Sequence, residues 1–259
     1  MVTDDWREYI ASHGSIVTVL PRFYVPGLLP AGGEAILPPD EARHLTRVMR
    51  LGKGDDVAIF DGRGHEFRAR VVEVARERVR LALVEAMVPA PEAHIPVTLV
   101  QAILKGDKMD EVVRDATMMG VAAIEPIVSA HTIARRQAID RWERVAVSSA
   151  KQCRRAVVPR VAPIVSLSEW LAAATAELKL LLVEPMVADG AEQSMRSLLD
   201  RKVASVAVIV GPEGGWTTEE RDAVIAGGGT PATLGSLTLR ADAVPLAALA
   251  IVRFALGDL

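Results

Sequence analysis

The sequence predicts an α/β protein in two parts: a small β-rich module over residues 21–90, then a larger domain over residues 96–259 built on a parallel sheet. Three observations carry this. Residues 57–84 contain short segments that alternate apolar and polar side chains, and residues 89–96 contain three prolines in eight positions, a linker composition. Beyond them the apolar runs become continuous and are separated by helical stretches, the pattern of strands covered on both faces. With 259 residues, 50% of them apolar and 24% charged, the chain can fill cores of this size, and disordered or fibrous classes are excluded.

Residues 1–20 carry Asp4, Asp5 and Glu8 and lack a basic stretch leading into an apolar one, so they read as an extension outside the fold rather than a signal peptide. In the first module, Val-Ala-Ile-Phe at 57–60, Glu-Phe-Arg-Ala-Arg-Val-Val at 66–72 and Arg-Val-Arg-Leu-Ala-Leu-Val at 78–84 read as strands, with turns at 61–64 and 75–77. A helix is expected from a cap at Asp40 to about Leu51. It would line up Arg43, Arg47 and Arg50 at i, i+4 and i+7 on one face, either an RNA-facing stripe or a solvated surface.

In the second part, residues 97–102, 122–128, 178–183 and 203–210 read as strands. A helix opens at Asp107, carries Met109, Val112, Val113, Ala116 and Met119 on its apolar face and closes at Gly120. Another starts near Asp140. The last runs from Pro245 to Phe254, where the proline is tolerable because it falls in the first turn.

Composition also narrows function. The apolar run at 243–252 is well short of the ~18 residues a spanning helix needs, so no membrane crossing is expected. Cys153 has no second cysteine to pair with, and five scattered histidines show no zinc-ligand spacing, so a reducing cytoplasm and no metal are expected. Net charge is −3 and the isoelectric point about 6.0, which leaves any nucleic-acid partner to local basic patches.

The segment Val-Ile-Val-Gly-Pro-Glu-Gly-Gly-Trp-Thr-Thr-Glu-Glu at 208–220 is the most informative. It is an apolar strand, a glycine turn and a capping box with Thr217 at the N-cap and Glu220 at N3. Strand ends of this kind bind ligands in α/β sheets because backbone can approach closely. Gly-Pro-Glu-Gly-Gly fits neither the Walker loop nor the dinucleotide fingerprint, and spacing alone leaves a purely structural turn open. A second turn, Thr-Leu-Gly-Ser-Leu-Thr-Leu-Arg at 233–240, leads into the last helix.

Taken together, these two turns and the Ala/Leu-rich helix after them resemble the RsmE family of 16S ribosomal RNA uridine methyltransferases, within the knotted SPOUT class. Arg-Phe-Tyr-Val at 22–25, His-Leu-Thr-Arg-Val-Met-Arg-Leu-Gly-Lys-Gly-Asp at 44–55 and Phe-Asp-Gly at 60–62 resemble its PUA-like N-terminal module. Lys-Gly-Asp-Lys-Met at 105–109, Gly120-Val121, Gln-Cys-Arg-Arg at 152–155 with Pro159, and Leu-Gly-Asp at 256–258 are similar to its catalytic domain. The resemblance runs from about Pro21 to the C-terminus.

It implies S-adenosylmethionine held in a trefoil knot, a homodimer, 16S ribosomal RNA or the small subunit as partner, and methyl transfer to N3 of a uracil without a metal. The cofactor would be lined by Leu182, Val183 and Glu184, by Val210, Gly211, Gly214 and Gly215, and by Leu234, Gly235 and Leu239. A side chain at Gly211 or Gly214 is expected to block the cofactor's approach.

Arg240 is the expected catalytic cation for the uracil anion, with Asp242 the nearest base. RNA contacts are expected from Arg43, Arg47, Arg50, Lys105, Lys108 and Arg155. Cys153 and His44 read as packed residues, and Glu213 as structural. The chain departs from the family at Ala241-Asp242-Ala243, where Thr-Glu-Thr is usual, and at Lys151 and Pro245. The loss of both hydroxyls motivates an alternative, an RNA-binding or assembly factor with a degenerate loop. A SPOUT methyltransferase acting on another RNA is a second.

Overall fold

The computed structural model describes residues 20–27, 33–75, 78–133, 139–185, 193–199 and 202–259. The expected N-terminal extension therefore lies almost wholly outside the described residues, as do two positions of the 75–77 turn. The chain divides into two units, Met1–Asp61 with Glu66–Met87, and Gly62–His65 with Val88–Leu259.

In the first unit, β1 (Arg22–Tyr24), β2 (Glu34–Ile36), β3 (Asp56–Phe60), β4 (Glu66–Ala75) and β5 (Arg78–Met87) form a sheet in the order β1–β3–β4–β5–β2. Only the β1–β3 pairing is parallel. Alternation does what period two predicts: Val79, Leu81 and Leu83 of β5 are buried beside Phe23, Val57, Ile59, Ala69 and Val71. Arg22 is buried with Glu66 at 2.9 Å and lies 4.5 Å from the centre of the Phe60 ring, so its charge is both paired and covered.

The helix expected over 40–51 is shorter and different. α1 (Pro39–Arg43) starts after Pro38 without a side-chain cap, and a π-helical turn, His44–Val48, follows it. Asp40 sits inside the first turn, not at the cap. Arg50 falls beyond the helix in left-handed backbone, φ +54°, so the three arginines share no α-helical face, although all three are exposed. His44 packs edge-on against Phe23, ring centres 5.9 Å apart.

The second unit is built on a parallel sheet. Its strands are β6 (Val97–Ala102), β7 (Ala123–Val128), β8 (Arg160–Val161), β9 (Val165–Ser166), β10 (Leu178–Leu182), β11 (Gln193–Ser194), β12 (Val206–Val210) and β13 (Gly229–Thr233), in the order β11–β13–β10–β12–β6–β7–β8, with β9 also on β7. The centre of the sheet reads as expected: β12 is buried along its whole length. Pro126 explains why β8 and β9 are separate strands. The Ile124 carbonyl accepts from Ala162 on that side, and two residues later Pro126 has no N–H to continue the ladder, which resumes at Val165.

The helices are α2 (Lys108–Met118), α3 (Ile139–Cys153), α4 (Leu167–Ala173), α5 (Met195–Leu199), α6 (Thr218–Ala226) and α7 (Val244–Ala255). Met109, Val112, Val113 and Ala116 bury the face of α2 that the spacing marked, and Gly120 follows it at φ +80°. Pro245 occupies the first turn of α7, where its missing N–H is not needed. Among the described residues no helix is long and apolar enough to cross a membrane.

Candidate functional site

Because β13, β10 and β12 are parallel neighbours, their C-terminal ends emerge at one edge. There the residues after Leu182, after Val210 and from Leu234 to Asp242 enclose a cavity of about 340 Å³, joined by Lys108 from the first turn of α2. Eight of the ten positions expected to touch a cofactor line it: Leu182, Val183, Glu184, Val210, Gly211, Gly215, Leu234 and Leu239. Gly214 and Gly235 are not among the lining residues. Arg240 and Asp242 both are. Pro212, Leu237 and Thr238 join them from the same expected loops, 210–215 and 234–240, while Pro185 and Val244 lie just beyond the expected stretches.

The glycine turn is held by its neighbours. The Trp216 indole donates to the Leu182 carbonyl at 3.0 Å, and a Cβ on Gly211 would stand 3.0 Å from that ring. A Cβ on Gly214 would stand 2.8 Å from the His131 Cβ, while His131 Nδ1 lies 3.1 Å from the Gly215 carbonyl. A side chain at either glycine would therefore meet Trp216 or His131 within the protein itself. Gly215 has φ +70°, which a residue with a Cβ adopts only at a cost.

Thr217 caps α6 by accepting from the Glu220 N–H at 3.2 Å, and Glu220 accepts from the Thr217 N–H at 3.0 Å and the Ala130 N–H at 2.7 Å. One carboxylate thus completes the capping box and ties the β7 loop to the turn.

Two ion pairs line the cavity. Lys108 Nζ lies 2.8 Å from Glu213 Oε1, which also accepts from the Lys105 N–H at 3.2 Å. Burial raises the Glu213 pKa, but Lys108 and the backbone donors outweigh it and hold the carboxyl below its usual range. Arg240 holds Asp242 through two bonds of 3.1 and 3.0 Å. For Asp242, burial again raises the pKa, while backbone donation, Arg240 and the charge of Lys108 bring it below normal.

The expected RNA-contact residues separate. Arg43, Arg47, Arg50 and Lys105 are exposed, and Lys108 is in the cavity. Arg155 is a correction. It is 7% exposed, donates to Glu92 at 3.0 and 2.5 Å and to the carbonyls of Thr117 and Val121 at 2.8 and 3.2 Å, so its donors are engaged inside the protein and no phosphate can reach them. Cys153 is half-buried, its Sγ 3.8 Å from the Ala150 carbonyl, a packed residue as expected.

Comparison with known proteins places this geometry among relatives. A family model of RNA methyltransferase domains matches residues 91–253, and one of RNA methyltransferase PUA domains matches residues 37–84. The ribosomal RNA small subunit methyltransferase E of Synechocystis is 33% identical over 218 residues, 81% of this chain and 69% of that protein. The enzyme of the same name from Mycobacterium tuberculosis is 27% identical over 89% of this chain and 90% of its own. Among solved structures, the small subunit methyltransferase E of Neisseria gonorrhoeae bound to S-adenosylmethionine superposes with a TM-score of 0.82 at 32% identity, covering 91% of this chain and 97% of that one. A Legionella pneumophila methyltransferase in complex with the same cofactor gives 0.84 at 27% identity, covering 91% and 98%.

Proposed function

Since the chain belongs to the ribosomal RNA small subunit methyltransferase E family, we propose that it methylates small-subunit (16S) ribosomal RNA with S-adenosylmethionine, at N3 of a uracil. The observation that carries this is the cavity at the strand ends. Its volume falls in the range of small-molecule sites. Leu182, Val183, Val210 and Leu234 give it apolar walls, and three carboxylates (Glu184, Glu213, Asp242) against two cations (Lys108, Arg240) give it a net negative lining that suits a sulfonium ligand. When bound, S-adenosylmethionine supplies an electrophilic methyl group, so no metal is called for.

The protein's own part is to orient the uracil, to exclude water and to manage one proton and one developing charge. N3 carries a hydrogen and becomes nucleophilic as that proton leaves. Arg240 would favour the resulting anion, and Asp242, which shares the cavity and is hydrogen-bonded to Arg240, would receive the proton. Exposed Arg43, Arg47, Arg50 and Lys105 would contact RNA phosphates. The reading includes the trefoil knot through residues 234–242, a cytoplasmic location, and a homodimer formed on α7, where Leu246, Ile251 and Phe254 are exposed.

The experiment is to incubate the protein with S-adenosylmethionine and small subunits lacking the modification, then map methylated nucleosides by mass spectrometry. N3-methyluridine in the subunit's RNA is the expected product. Subunits bound but left unmethylated, with no calorimetric uptake of S-adenosylmethionine, would overturn the reading in favour of an assembly factor.

A further inference from the structure

Arg240 is poorly situated to hold a developing charge alone. Its side chain is 75% exposed and its Nε and Nη2 are engaged by Asp242, so water and a carboxylate both weaken its field. Lys108 lines the same cavity at 32% exposure. It gives one donor to Glu213, whose oxygen is shared with the Lys105 N–H, and an ammonium has two more to give.

The other carboxylates near it are already answered: Asp107 and Asp110, on its own helix and cap, both pair with Arg141 of α3. Among the described residues, the cavity it lines also holds Glu213 from the glycine turn, Glu184 from the end of β10, and Asp242 with Arg240 from the 234–242 loop, and its field reaches Asp242.

Resting on the proposed N3 methylation, we propose that Lys108 is a second catalytic cation. Its ammonium, steadied by Glu213, donates to a carbonyl oxygen of the target uracil and stabilises the anion formed when N3 loses its proton. The proton passes to the Asp242 carboxylate and on to solvent. The electron pair left on N3 forms the new N–CH3 bond, and sulfur keeps the pair of the bond that breaks, so one proton is released per methyl group. Asp242, held below the usual carboxylate range, is a weak base. A weak base removes this proton efficiently only when the anion left behind is stabilised, which is the part assigned to Lys108 with Arg240.

Single-turnover methylation of unmethylated small subunits by the wild type, Lys108→Met and Lys108→Arg, followed across pH, tests this, with calorimetric S-adenosylmethionine binding and melting curves on each protein. Lys108→Met is expected to lower the neutral-pH rate by ~10²- to 10³-fold. Its rate should keep climbing to a pH about one to two units higher than the wild type's, because the bound uracil is harder to ionise. Lys108→Arg should recover most of both, with cofactor affinity and melting temperature close to wild type in each variant.

An unmoved pH dependence, or a rate loss matched by lost cofactor affinity or stability, would overturn the proposal and leave Lys108 as a clamp on Glu213. A wild-type protein that methylates a ribose or another base atom would instead overturn the N3 reading itself.

Discussion

The end of α2 and the rim of the cavity lie in one unit and are both organised by long cationic side chains, yet they treat them in opposite ways. At the end of α2, Arg253 of α7 is 2% exposed and donates to the carbonyls of Ile95 (2.8 Å), Met119 (3.2 Å) and Gly120 and to Asp258 (3.1 Å). Arg155 does the same for Thr117 and Val121 beside it. Thr117 is in the last turn of the helix and Met119, Gly120 and Val121 follow it directly, so the two guanidiniums bond the chain where α2 ends and fasten residues 92–95 and Asp258 to it. At the cavity, Arg240 and Lys108 each bond a carboxylate, Asp242 and Glu213, with side chains 75% and 32% exposed, and remain reachable. A buried cation surrounded by carbonyls is part of the scaffold; one left partly exposed at the cavity is available to a substrate.

The largest expected effect follows from that contrast. Arg253→Met removes a buried charge and strands Asp258 with three carbonyls, and breaking a buried pair in this way costs about 3–5 kcal/mol, a large part of the ~5–15 kcal/mol that holds a domain together. A drop in melting temperature of about 10 °C or more is expected by calorimetry. A shift of only a degree or two would show that this fastening is dispensable and that burial is no guide to which arginines are structural.

A smaller effect tests the other side of the same lock. Burial raises the pKa of Asp258, but the His94 ring and N–H and then Arg253 outweigh it, so its folded-state value is lowered. A depressed carboxylate contributes stability that is full above its unfolded value, near ~3.9, and is lost as pH falls through the folded value. Asp258→Asn should therefore melt lower than wild type at neutral pH, by roughly 2 kcal/mol of stability. The gap should close below about pH 4. A gap that stays constant down to acid pH would mean that the aspartate acts through shape and not charge.

How much of this could be read beforehand depends on the range of the interaction responsible. The four central strands of the second unit's sheet, β6, β7, β10 and β12, were legible because burial on both faces writes itself as unbroken apolar runs, whereas β8, β9, β11 and β13 were not expected; the start of α6 was legible because Thr217 and Glu220 are three residues apart. The cavity was legible through its turns, which are local. The turn at His44–Val48 was not: its Met49 N–H reaches back to His44, a π register that leaves no mark in residue spacing.

Nor could residue type separate Arg155 from Arg43. What decides is the partner, and Glu92 is 63 positions away from Arg155, while Arg253 reaches back 158 positions to Ile95. β1 and β2, three residues each, are too short to show a period and exist through their pairing with β3 and β5.

The smallest effect belongs to the first unit, and it turns the comparison into a measurement on RNA. If Arg47 contacts a phosphate, Arg47→Ala should weaken binding to small subunits modestly and without regard to sequence. It should also lower the slope of log affinity against log salt by about one, because one fewer counterion is displaced. Rate at saturating subunit should stay the same, since no group at the cavity has changed. Arg155→Gln makes the contrast: its melting temperature should fall while the salt slope holds, because its guanidinium faces carbonyls and Glu92 and not solvent. Binding measured from low to moderate salt for both variants separates the two uses of arginine in one experiment. A slope unchanged for Arg47→Ala, and likewise for Arg43→Ala and Arg50→Ala, would mean that this exposed basic surface is solvated rather than RNA-facing, and the search for the phosphate contacts would move to Lys105 and the loops beside the cavity.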